Sequence, residues 1–377
     1  MTDSDGGDAI ALAERILVLL DEGARTATYK LAVLAALMDL CLEHTTRDGL
    51  APDTLYTRPL AEKVIDLYWP QTAAYSGAGG RRVLRQNTRG QAEIVTAIER
   101  FRTQLSADPG CSLSRARAAS PTAWETLART VEWKLIEMPL PRLQRVGGVR
   151  DEILYSIGWD EHVTQREVRD YQRHLPSAFD NRIVLRPGVG GALVRLHGLL
   201  RPMLQRQWAR MVAQLNELEE AKLESFLFGA DRISLQPVSG PLLELQDGCC
   251  FYCEERIHGS GRGGLAIDHF VPWSRHPDNA IENLVPAHAR CNGDKSDLLA
   301  ARTHVERWRA RMATRGSDLA TIAHDAGFEQ APGRALNVAR GIYLLLPPRG
   351  RLWLHNRELE LVGSEPLAPL FAPLATA

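Results

Sequence analysis

Two short pairs of metal-type side chains constrain this chain more than any other feature of its sequence. Cys250 and Cys253 are separated by two residues, and His288 and Cys291 are separated in the same way. Two side chains on either side of a tight turn can both reach one ion, and structural zinc takes four sulfur or nitrogen ligands in a tetrahedron. The spacing therefore predicts a closed Zn²⁺ site that holds a small domain together and leaves no open position for water.

Other ligand sets remain open at this point. Cys249 replaces Cys250 if the first pair slips by one residue, and His258 is a spare donor between the pairs. Buried cysteines also pack as small apolar side chains without any metal. Four of the six cysteines of the chain fall in this one segment, however. Such clustering favours metal binding in a reducing compartment over a disulfide framework.

Groups suited to phosphodiester hydrolysis lie near these pairs. The reaction needs an activated water, an in-line geometry and positive charge where the leaving oxygen becomes negative. His269 is a fitting general base because the pKa of an imidazole is near neutrality. Asp268 precedes it on a predicted strand, where the side chains of neighbouring residues point to opposite faces. Asp268 and His269 can therefore act on the same atom only if the strand ends or bends there. The amide oxygen of Asn292 is an acceptable ligand for a hard cation.

The order of three short motifs resembles the HNH (ββα-metal) endonuclease family in its zinc-stabilised form. The motifs are Asp268-His269-x-x-Pro272, Asn283-Leu284 and Cys291-Asn292-x-x-Lys295, and the resemblance covers residues 245–300. It implies a strand, loop and helix around one Mg²⁺-like ion, with Asp268 and Asn292 as its ligands and His269 acting on water. It also implies that Asn283 fixes the loop that orients His269, and an ordinary turn or capping asparagine is the alternative.

Three basic residues near these motifs are candidates for contacting phosphates. Lys295 and Arg290 lie close in sequence to the predicted metal ligands, and Arg275 is a further candidate. Contacts to phosphate oxygens position a nucleic acid without reading its sequence. Solvated positions on the surface are the alternative for all three residues.

Four ring-bearing side chains of this segment fall outside the motifs. His276 and His304 are predicted to be surface or packing residues rather than metal ligands. Trp273 and Trp308 are predicted to cover the small core, because aromatic side chains bury large areas in a domain too short to build a thick one. Stacking on nucleic-acid bases is the alternative for the two tryptophans.

Local contrasts of charge are hidden by a net charge of −1. Eight arginines lie from Arg81 to Arg117, and a second basic run extends from Arg302 to Arg315. Stretches of this kind suit a polyanion, and solvated helix faces are the alternative. The chain starts with a polar, acidic segment and contains no long apolar stretch. We therefore expect neither a signal peptide nor a membrane span, and a cytoplasmic location.

Apolar periodicity predicts a mainly α multi-domain protein, and the resemblance implies that it contains one small zinc-stabilised ββα-metal (HNH) module. Helices are predicted at 9–21, 27–44, 57–68, 89–105, 123–137 and 191–218. Strands or short apolar segments are predicted at 152–159 and 182–186, and strands at 265–270, 341–346 and 352–354. The predicted domains are an all-α domain at 1–105, a mostly helical region at 106–236, a nuclease module with structural zinc at 237–312, and an α/β extension at 313–377.

The resemblance implies a metal-dependent endonuclease that hydrolyses phosphodiester bonds in DNA, with RNA as the alternative substrate. Its expected cofactors are structural Zn²⁺ and catalytic Mg²⁺ or Mn²⁺. Family context suggests restriction or phage defence, with a homodimer or a partner protein of the defence system. A zinc-stabilised module that binds nucleic acid without cutting is the alternative function. A zinc nucleotide deaminase is set aside, because the sequence has no His-x-Glu before a Pro-Cys-x-x-Cys.

Overall fold

The computed structural model describes residues 3–22, 27–77, 80–105, 111–146, 149–150, 152–220, 223–229, 234–259, 261–363 and 366–372. Backbone contacts divide the chain into two units, and each is described by itself. The first unit consists of Met1–Leu42 and Ala51–Arg232, and the second of Glu43–Leu50 and Ile233–Ala377. Helices predominate, as predicted, whereas the division into four domains stays a prediction.

Helices form most of the first unit. They are α1 (Asp3–Glu22), α2 (Tyr29–Glu43), α3 (Thr57–Tyr68), α4 (Glu93–Gln104), α5 (Leu113–Ala119), α6 (Pro121–Glu137), α7 (Pro139–Arg142), α8 (Gln165–Gln172), α9 (Val189–Asn216) and α10 (Leu223–Phe228). Every side chain of α2 from Leu31 to Leu42 is buried, which is typical of a helix enclosed on all sides. Helix α3 packs against α6, and α1 packs against α9.

Short strands complete the first unit. They are β1 (Thr54–Tyr56), β2 (Tyr75–Gly77), β3 (Gly80–Arg82), β4 (Arg145–Val146), β5 (Val149–Arg150), β6 (Tyr155–Ile157) and β7 (Arg182–Leu185). Strand β7 lies between β1 and β6 and is antiparallel to both. Strands β1 to β3 lie within residues 1–105, which the sequence predicts to be all helical. Strands of three residues are too short to show an apolar periodicity, so the sequence does not indicate them.

A buried ion pair fixes α2 against α9 in the first unit. Arg201 donates from Nε and Nη2 to the two carboxylate oxygens of Asp39, at 3.0 Å each, and His197 Nε2 lies 2.9 Å from the same carboxylate. Burial alone would raise the pKa of Asp39, but Arg201 and His197 hold it well below its usual value. The charge is therefore paired and hydrogen-bonded, as a buried carboxylate requires.

The second unit contains five helices and five strands among its described residues. The helices are α11 (Gln236–Leu245), α12 (Ala289–Lys295), α13 (Arg302–Thr314), α14 (Gly316–Ala326) and α15 (Pro332–Leu344). The strands are β8 (Leu265–His269), β9 (Leu284–His288), β10 (Leu299–Ala300), β11 (Arg351–His355) and β12 (Glu358–Leu361). Strand β11 pairs with β10 in parallel and with β12 in antiparallel orientation.

Strands β8 and β9 form an antiparallel pair, and α12 begins at the residue after β9. The register sets Leu265 opposite His288 and His269 opposite Leu284. His269 therefore lies at one end of the pair, and the predicted zinc ligand His288 lies at the other. Helix α12 contacts both strands. Strand, strand and helix thus follow one another here, and the assignment of this arrangement as a ββα-metal nuclease fold is a proposal.

Two apolar groups support this pair of strands. The first is a core of seven buried residues, which come from α11, the segment before β9, β9 itself, α14 and the segment after α14. They are Val238, Leu242, Ile281, Leu284, Leu319, Ala323 and Phe328. On α13, the ring of Trp308 stacks on Phe270 with centroids 4.6 Å apart, and its indole N–H donates to the carbonyl of Glu282 at 2.7 Å. Trp308 is thus a core residue, as predicted.

The prediction of a strand at 341–346 is wrong, because Gly341 to Leu344 form the last turn of α15. Buried residues of this helix, among them Ala335, Val338 and Ala339, recur at three- and four-residue spacing. A short apolar run at the end of such a helix is indistinguishable from a buried strand by periodicity alone. Among the described residues, no helix is long and apolar enough to span a bilayer.

Candidate metal and hydrolytic site

Four side chains converge at the turn after α11 and at the start of α12. The ligand atoms of Cys250, Cys253, His288 and Cys291 all lie within 4.8 Å of one another. A hydrogen bond of 2.9 Å from the N–H of Glu254 to the carbonyl of Cys250 closes the turn of the first pair. His288 ends β9, and Cys291 lies in the first turn of α12. The spacing of each pair and the fold between them thus produce one cluster.

The hydrogen bonds of His288 select its metal-binding nitrogen. Its Nδ1 lies 3.3 Å from Cys253 Sγ, whereas its Nε2 lies 3.2 Å from the carbonyl oxygen of Arg256. A carbonyl only accepts, so Nε2 carries the proton and Nδ1 is the free donor to a metal. The backbone N–H of His288 also donates to Cys250 Sγ at 3.3 Å. This donor set fits a structural Zn²⁺ ion.

The structure also decides between the ligand sets that the sequence leaves open. Within the described ranges, neither Cys249 nor His258 belongs to the cluster. The thiol of Cys249 instead donates to the carbonyl of Asp247 at 3.6 Å. A hydrogen bond with Cys291 lowers the pKa of Cys250 to about 4, against the opposing effect of burial. A thiolate is the form in which cysteine binds a metal, and this shift favours it at Cys250.

Asp268 and His269 end strand β8 and point to different partners. Asp268 Oδ2 accepts a hydrogen bond of 2.5 Å from the hydroxyl of Tyr252 and lies 2.9 Å from Lys295 Nζ. His269 Nε2 lies 2.8 Å from Asn279 Oδ1. Both Asp268 and His269 are largely buried. The two side chains thus have separate surroundings, as alternation along a strand predicts.

Asn283 connects the two ends of the loop between β8 and β9. Its Oδ1 accepts from the N–H of Val271 at 2.8 Å, and its Nδ2 donates to the carbonyls of Val271 and Asp278. Its own carbonyl accepts from the N–H of Phe270 at 2.7 Å. Buried polar groups with several partners specify one conformation. These hydrogen bonds are the ones expected if Asn283 orients the chain directly after His269.

Burial and hydrogen bonding act on His269 in opposite directions. Burial lowers its pKa below the usual value, while the bond to Asn279 and the charge of Asp268 raise it by less. The net shift is downward, so the imidazole is neutral at cell pH. A neutral imidazole can accept a proton from water. The indole of Trp273 lies beside it, with ring centroids 5.2 Å apart.

Lys295 lies inside the domain rather than on its surface. It is fully buried, its ammonium donates to the carbonyl of His269 at 2.9 Å, and it pairs with Asp268. A contact between Lys295 and a phosphate has no support in this arrangement. Asn292 is partly exposed in α12, next to the cluster ligand Cys291. Its predicted binding of a metal stays a prediction.

The two remaining candidates for phosphate contacts, Arg290 and Arg275, are exposed. Arg290 has a carboxylate partner among the described residues. Arg290 pairs with Glu255 at 2.5 Å, and Arg275 lies in the exposed turn after Pro272. Contacts of either residue with nucleic acid stay predictions. Two of the five arginines from Arg302 to Arg315 are not available to a nucleic acid, because Arg309 and Arg311 are buried and donate to backbone carbonyls.

Sequence reasoning missed several residues that position this site. Tyr252 and Asn279 contact Asp268 and His269, and neither is part of a recognisable motif. Asp278 is buried, accepts from the N–H of Ala280, and pairs with Arg334 of α15 at 2.8 Å. Burial raises the pKa of Asp278, yet Arg334 holds it well below its usual range. The position of Asn279 directly after an aspartate in a loop is the only signal that the sequence offered.

Both leftover histidines are buried, and the prediction that neither is a metal ligand stays a prediction. His304 is buried against the rings of Tyr252 and Trp353, with Nε2 2.6 Å from the carbonyl of Leu354. His276 is buried, and its Nε2 lies 3.2 Å from Glu43 Oε1. Neither belongs to the Cys250–Cys291 cluster.

Comparison with known families gives two matches. Residues 250–301 match the HNH endonuclease family, in agreement with the resemblance found in the sequence. Residues 9–227 match a domain of unknown function, DUF8808. No curated protein and no solved structure matches the chain. The second match covers more than half of the chain, which therefore belongs to the DUF8808 family and carries an HNH endonuclease domain.

Proposed function

We propose that this protein is a metal-dependent endonuclease that hydrolyses phosphodiester bonds in DNA with its HNH domain. The observation that carries the proposal is the setting of His269, a buried imidazole at the end of β8, inside the matched segment, that is hydrogen-bonded to Asn279. A histidine that serves only packing has no need of an adjacent carboxylate and an amide partner together. The match to the HNH endonuclease family supports the same conclusion.

His269 is the proposed general base. Asn279 Oδ1 accepts a hydrogen bond from Nε2, so the lone pair lies on Nδ1, which takes the proton of the attacking water. The neutral imidazole is the form that can accept this proton. The positive charge that then forms on the ring is stabilised by Asp268, whose charge raises the pKa of His269.

Asp268 and Asn292 are the proposed ligands of Mg²⁺ or Mn²⁺. A carboxylate and an amide oxygen fit a hard cation, which takes its remaining ligands from water and phosphate. Tyr252 and Lys295 both contact Oδ2 of Asp268, so Oδ1 is the oxygen proposed for the metal. When bound, the ion supplies positive charge for the oxygen that leaves. Tyr252 and Lys295 hold the carboxylate in one orientation.

Asn283 and the zinc cluster are proposed to support this centre from two sides. Asn283 fixes the chain on either side of the loop that follows His269. The cluster of Cys250, Cys253, His288 and Cys291 fastens the turn after α11 to β9 and α12. With four protein ligands it has no open position, so its proposed role is structural.

One observation favours the alternative of a module that binds nucleic acid without cutting it. Lys295 already neutralises Asp268 in this structure, and a cation must therefore share the carboxylate with an ammonium at 2.9 Å. Like charges near one carboxylate weaken each other's binding. Seven of the eight arginines from Arg81 to Arg117 are exposed, Arg102 being the buried one, and they suit a polyanion under either function.

A cleavage assay separates the two functions. Supercoiled plasmid incubated with the purified chain and Mg²⁺ or Mn²⁺ should be nicked or linearised, while brief incubation with excess EDTA should prevent cutting. Cutting at full rate in EDTA would contradict the proposed catalytic ion. Binding without cutting under every metal condition, on both DNA and RNA, would favour the binding module. A role in restriction or phage defence, a homodimer and a cytoplasmic location stay predictions.

A further inference from the structure

A cavity of the second unit is lined by residues outside the matched HNH segment. Its volume is about 340 Å³, within the range of small-ligand sites. Three arginines and three larger apolar side chains contribute to its walls: Arg47, Arg309, Arg340, Met312, Leu336 and Phe371. A cavity that combines apolar walls with several cations suits an organic anion better than a neutral ligand.

Among the described residues, no carboxylate pairs with the two buried arginines of this cavity. Arg309 and Arg340 are 8% and 3% exposed. Arg309 donates to the backbone carbonyls of Leu370 and Ala372, and Arg340 donates to that of Thr46 at 2.7 Å. Carbonyl oxygens satisfy hydrogen bonds but carry no net charge. In the described part of the chain, neither guanidinium pairs with a carboxylate.

These positive charges also repel one another. Burial and the charge of Arg340 lower the pKa of Arg309, and burial and the charge of Arg47 lower the pKa of Arg340, which Asp48 opposes. The Nε atom of Arg340 is buried and has no hydrogen-bond partner among the described residues. Buried charges are normally paired, because leaving them unpaired is costly. The cavity thus has an excess of positive charge, which a bound anion would neutralise.

The amino terminus of α15 adds a further positive element. Pro332 and Gly333, the first two residues of this helix, line the cavity. The first N–H groups of a helix have no acceptor within it, and they favour an anion. A Cβ atom built on Gly333 meets nothing within 4 Å, so there is open space directly at this helix end.

We propose that this cavity binds a small organic phosphate. Three guanidinium groups and a helix amino terminus match a phosphate dianion better than a singly charged carboxylate. Met312, Leu336 and Phe371 provide a surface for the apolar body of the ligand. The inference does not depend on the proposed nuclease function, because none of these residues belongs to the hydrolytic site.

Calorimetric titration of the full chain tests the proposal, with deoxyadenosine monophosphate, inorganic phosphate and deoxyadenosine as ligands. Buffer without Mg²⁺ or Mn²⁺ prevents binding through an ion at the hydrolytic site. The monophosphate should bind most tightly, inorganic phosphate more weakly because it lacks an apolar body, and deoxyadenosine not measurably. No binding of the monophosphate, or equal binding of the nucleoside, would overturn the proposal.

Replacing Gly333 by aspartate locates the binding site. The new carboxylate lies at a helix amino terminus, where it favours the helix, and it competes for the same arginines. Affinity for the monophosphate should fall by roughly tenfold or more, as expected when charged hydrogen bonds worth more than about 1.4 kcal/mol are lost. Gly333→Asn, similar in size but neutral, should lose less.

Gly316→Asp provides a matched control for this substitution. It adds the same carboxylate at the start of α14, where a Cβ atom also meets nothing within 4 Å, but outside the cavity. Its affinity for the monophosphate should equal that of the unmodified protein. Unchanged affinity of Gly333→Asp, or an equal loss in Gly316→Asp, would show that the ligand does not bind in this cavity.

Discussion

The Nε2 atom of His269 lies 2.8 Å from the Oδ1 atom of Asn279, and this contact decides which nitrogen of the imidazole can act as a base. An amide oxygen accepts and cannot donate, so Nε2 carries the proton and Nδ1 holds the lone pair. Asn279 lies in the loop that Asn283 and Asp278 hold in place. The loop between β8 and β9 therefore sets the tautomer of the histidine as well as its orientation.

Substitutions of Asn279 should move the pH dependence of cutting in opposite directions. Asn279→Asp places a negative charge beside the imidazole, which raises the pKa of His269, so the acid limb of the pH–rate profile should shift to higher pH. Asn279→Ala removes a contact that raises this pKa, so the limb should shift to lower pH. The alanine variant should also lose about 10- to 100-fold in rate, because the tautomer is no longer fixed. Identical profiles for all three proteins would contradict the assignment of His269 as the base.

His269→Ala should abolish cutting while leaving the rest of the molecule intact. Loss of a general base costs roughly 10²- to 10⁴-fold in rate. The zinc ligands and the exposed arginines are unchanged, so zinc content and affinity for DNA should remain as they were. Plasmid cleavage, elemental analysis and a gel-shift assay check the three parts. Cutting at an undiminished rate would place the nuclease centre elsewhere.

Asp268→Ala and Asn292→Ala should differ from His269→Ala in their response to metal. Both should abolish cutting in Mg²⁺, because each removes a proposed ligand of the ion. Raised Mn²⁺ should restore part of the rate per folded molecule, since a weakened site fills at higher concentration of a tighter-binding ion. Asp268→Ala also leaves the buried Lys295 without its counterion, so its folded fraction is measured first. His269→Ala should not respond in this way. Rescue of His269→Ala to near the normal rate would overturn the separation of ligand and base.

Zinc content should depend on Cys253 but not on Cys249, which lies four positions earlier. Cys253→Ser removes a member of the cluster, and because metal binding and folding are one equilibrium in such sites, the HNH segment should lose both its zinc and its structure. Cys249→Ser is the matched control, since the thiol of Cys249 lies outside the cluster. Elemental analysis should find about one zinc per chain in the control. Full zinc occupancy in Cys253→Ser would disprove the ligand set.

The sequence predicts those parts of the site that depend on local spacing. The pairs Cys250–Cys253 and His288–Cys291 each lie on one short turn, so their convergence follows from two turns and one hairpin. The strand ending at His269 is also recognisable, because its apolar residues precede the reactive pair. The long helices, such as α9, were predicted to within a few residues for the same reason, since a 3.6-residue period persists over many turns.

Contacts between distant segments were not predictable in this way. Tyr252 and Lys295 reach Asp268 from the zinc turn and from α12, and only the packing of these elements brings the three together. The sequence predicts a phosphate contact for Lys295, with a solvated surface position as the alternative, whereas lysine is buried only when it has a partner. Its partner is Asp268, which lies 27 positions earlier in the sequence. No apolar periodicity indicates that these two side chains meet.

Removing the charge of Lys295 should destabilise the domain strongly. The Lys295 ammonium is fully buried, and Lys295→Met leaves Asp268 as a buried carboxylate without its counterion. Breaking a buried pair in this way costs about 3–5 kcal/mol of unfolding free energy, whereas an exposed pair contributes about 0–1 kcal/mol. Urea denaturation of the zinc-loaded protein measures this difference, and Arg315→Met, which breaks the exposed pair with Asp318, is the control.

The double variant Asp268→Asn with Lys295→Met should recover most of the lost stability, because no unpaired charge then remains in the interior. This recovery distinguishes an electrostatic cause from simple loss of packing, since methionine and asparagine fill nearly the same volumes as the residues they replace. If Lys295→Met costs no more than Arg315→Met, the carboxylate of Asp268 does not depend on Lys295. If the double variant is as unstable as the single one, Lys295 stabilises the domain mainly through its bond to the carbonyl of His269.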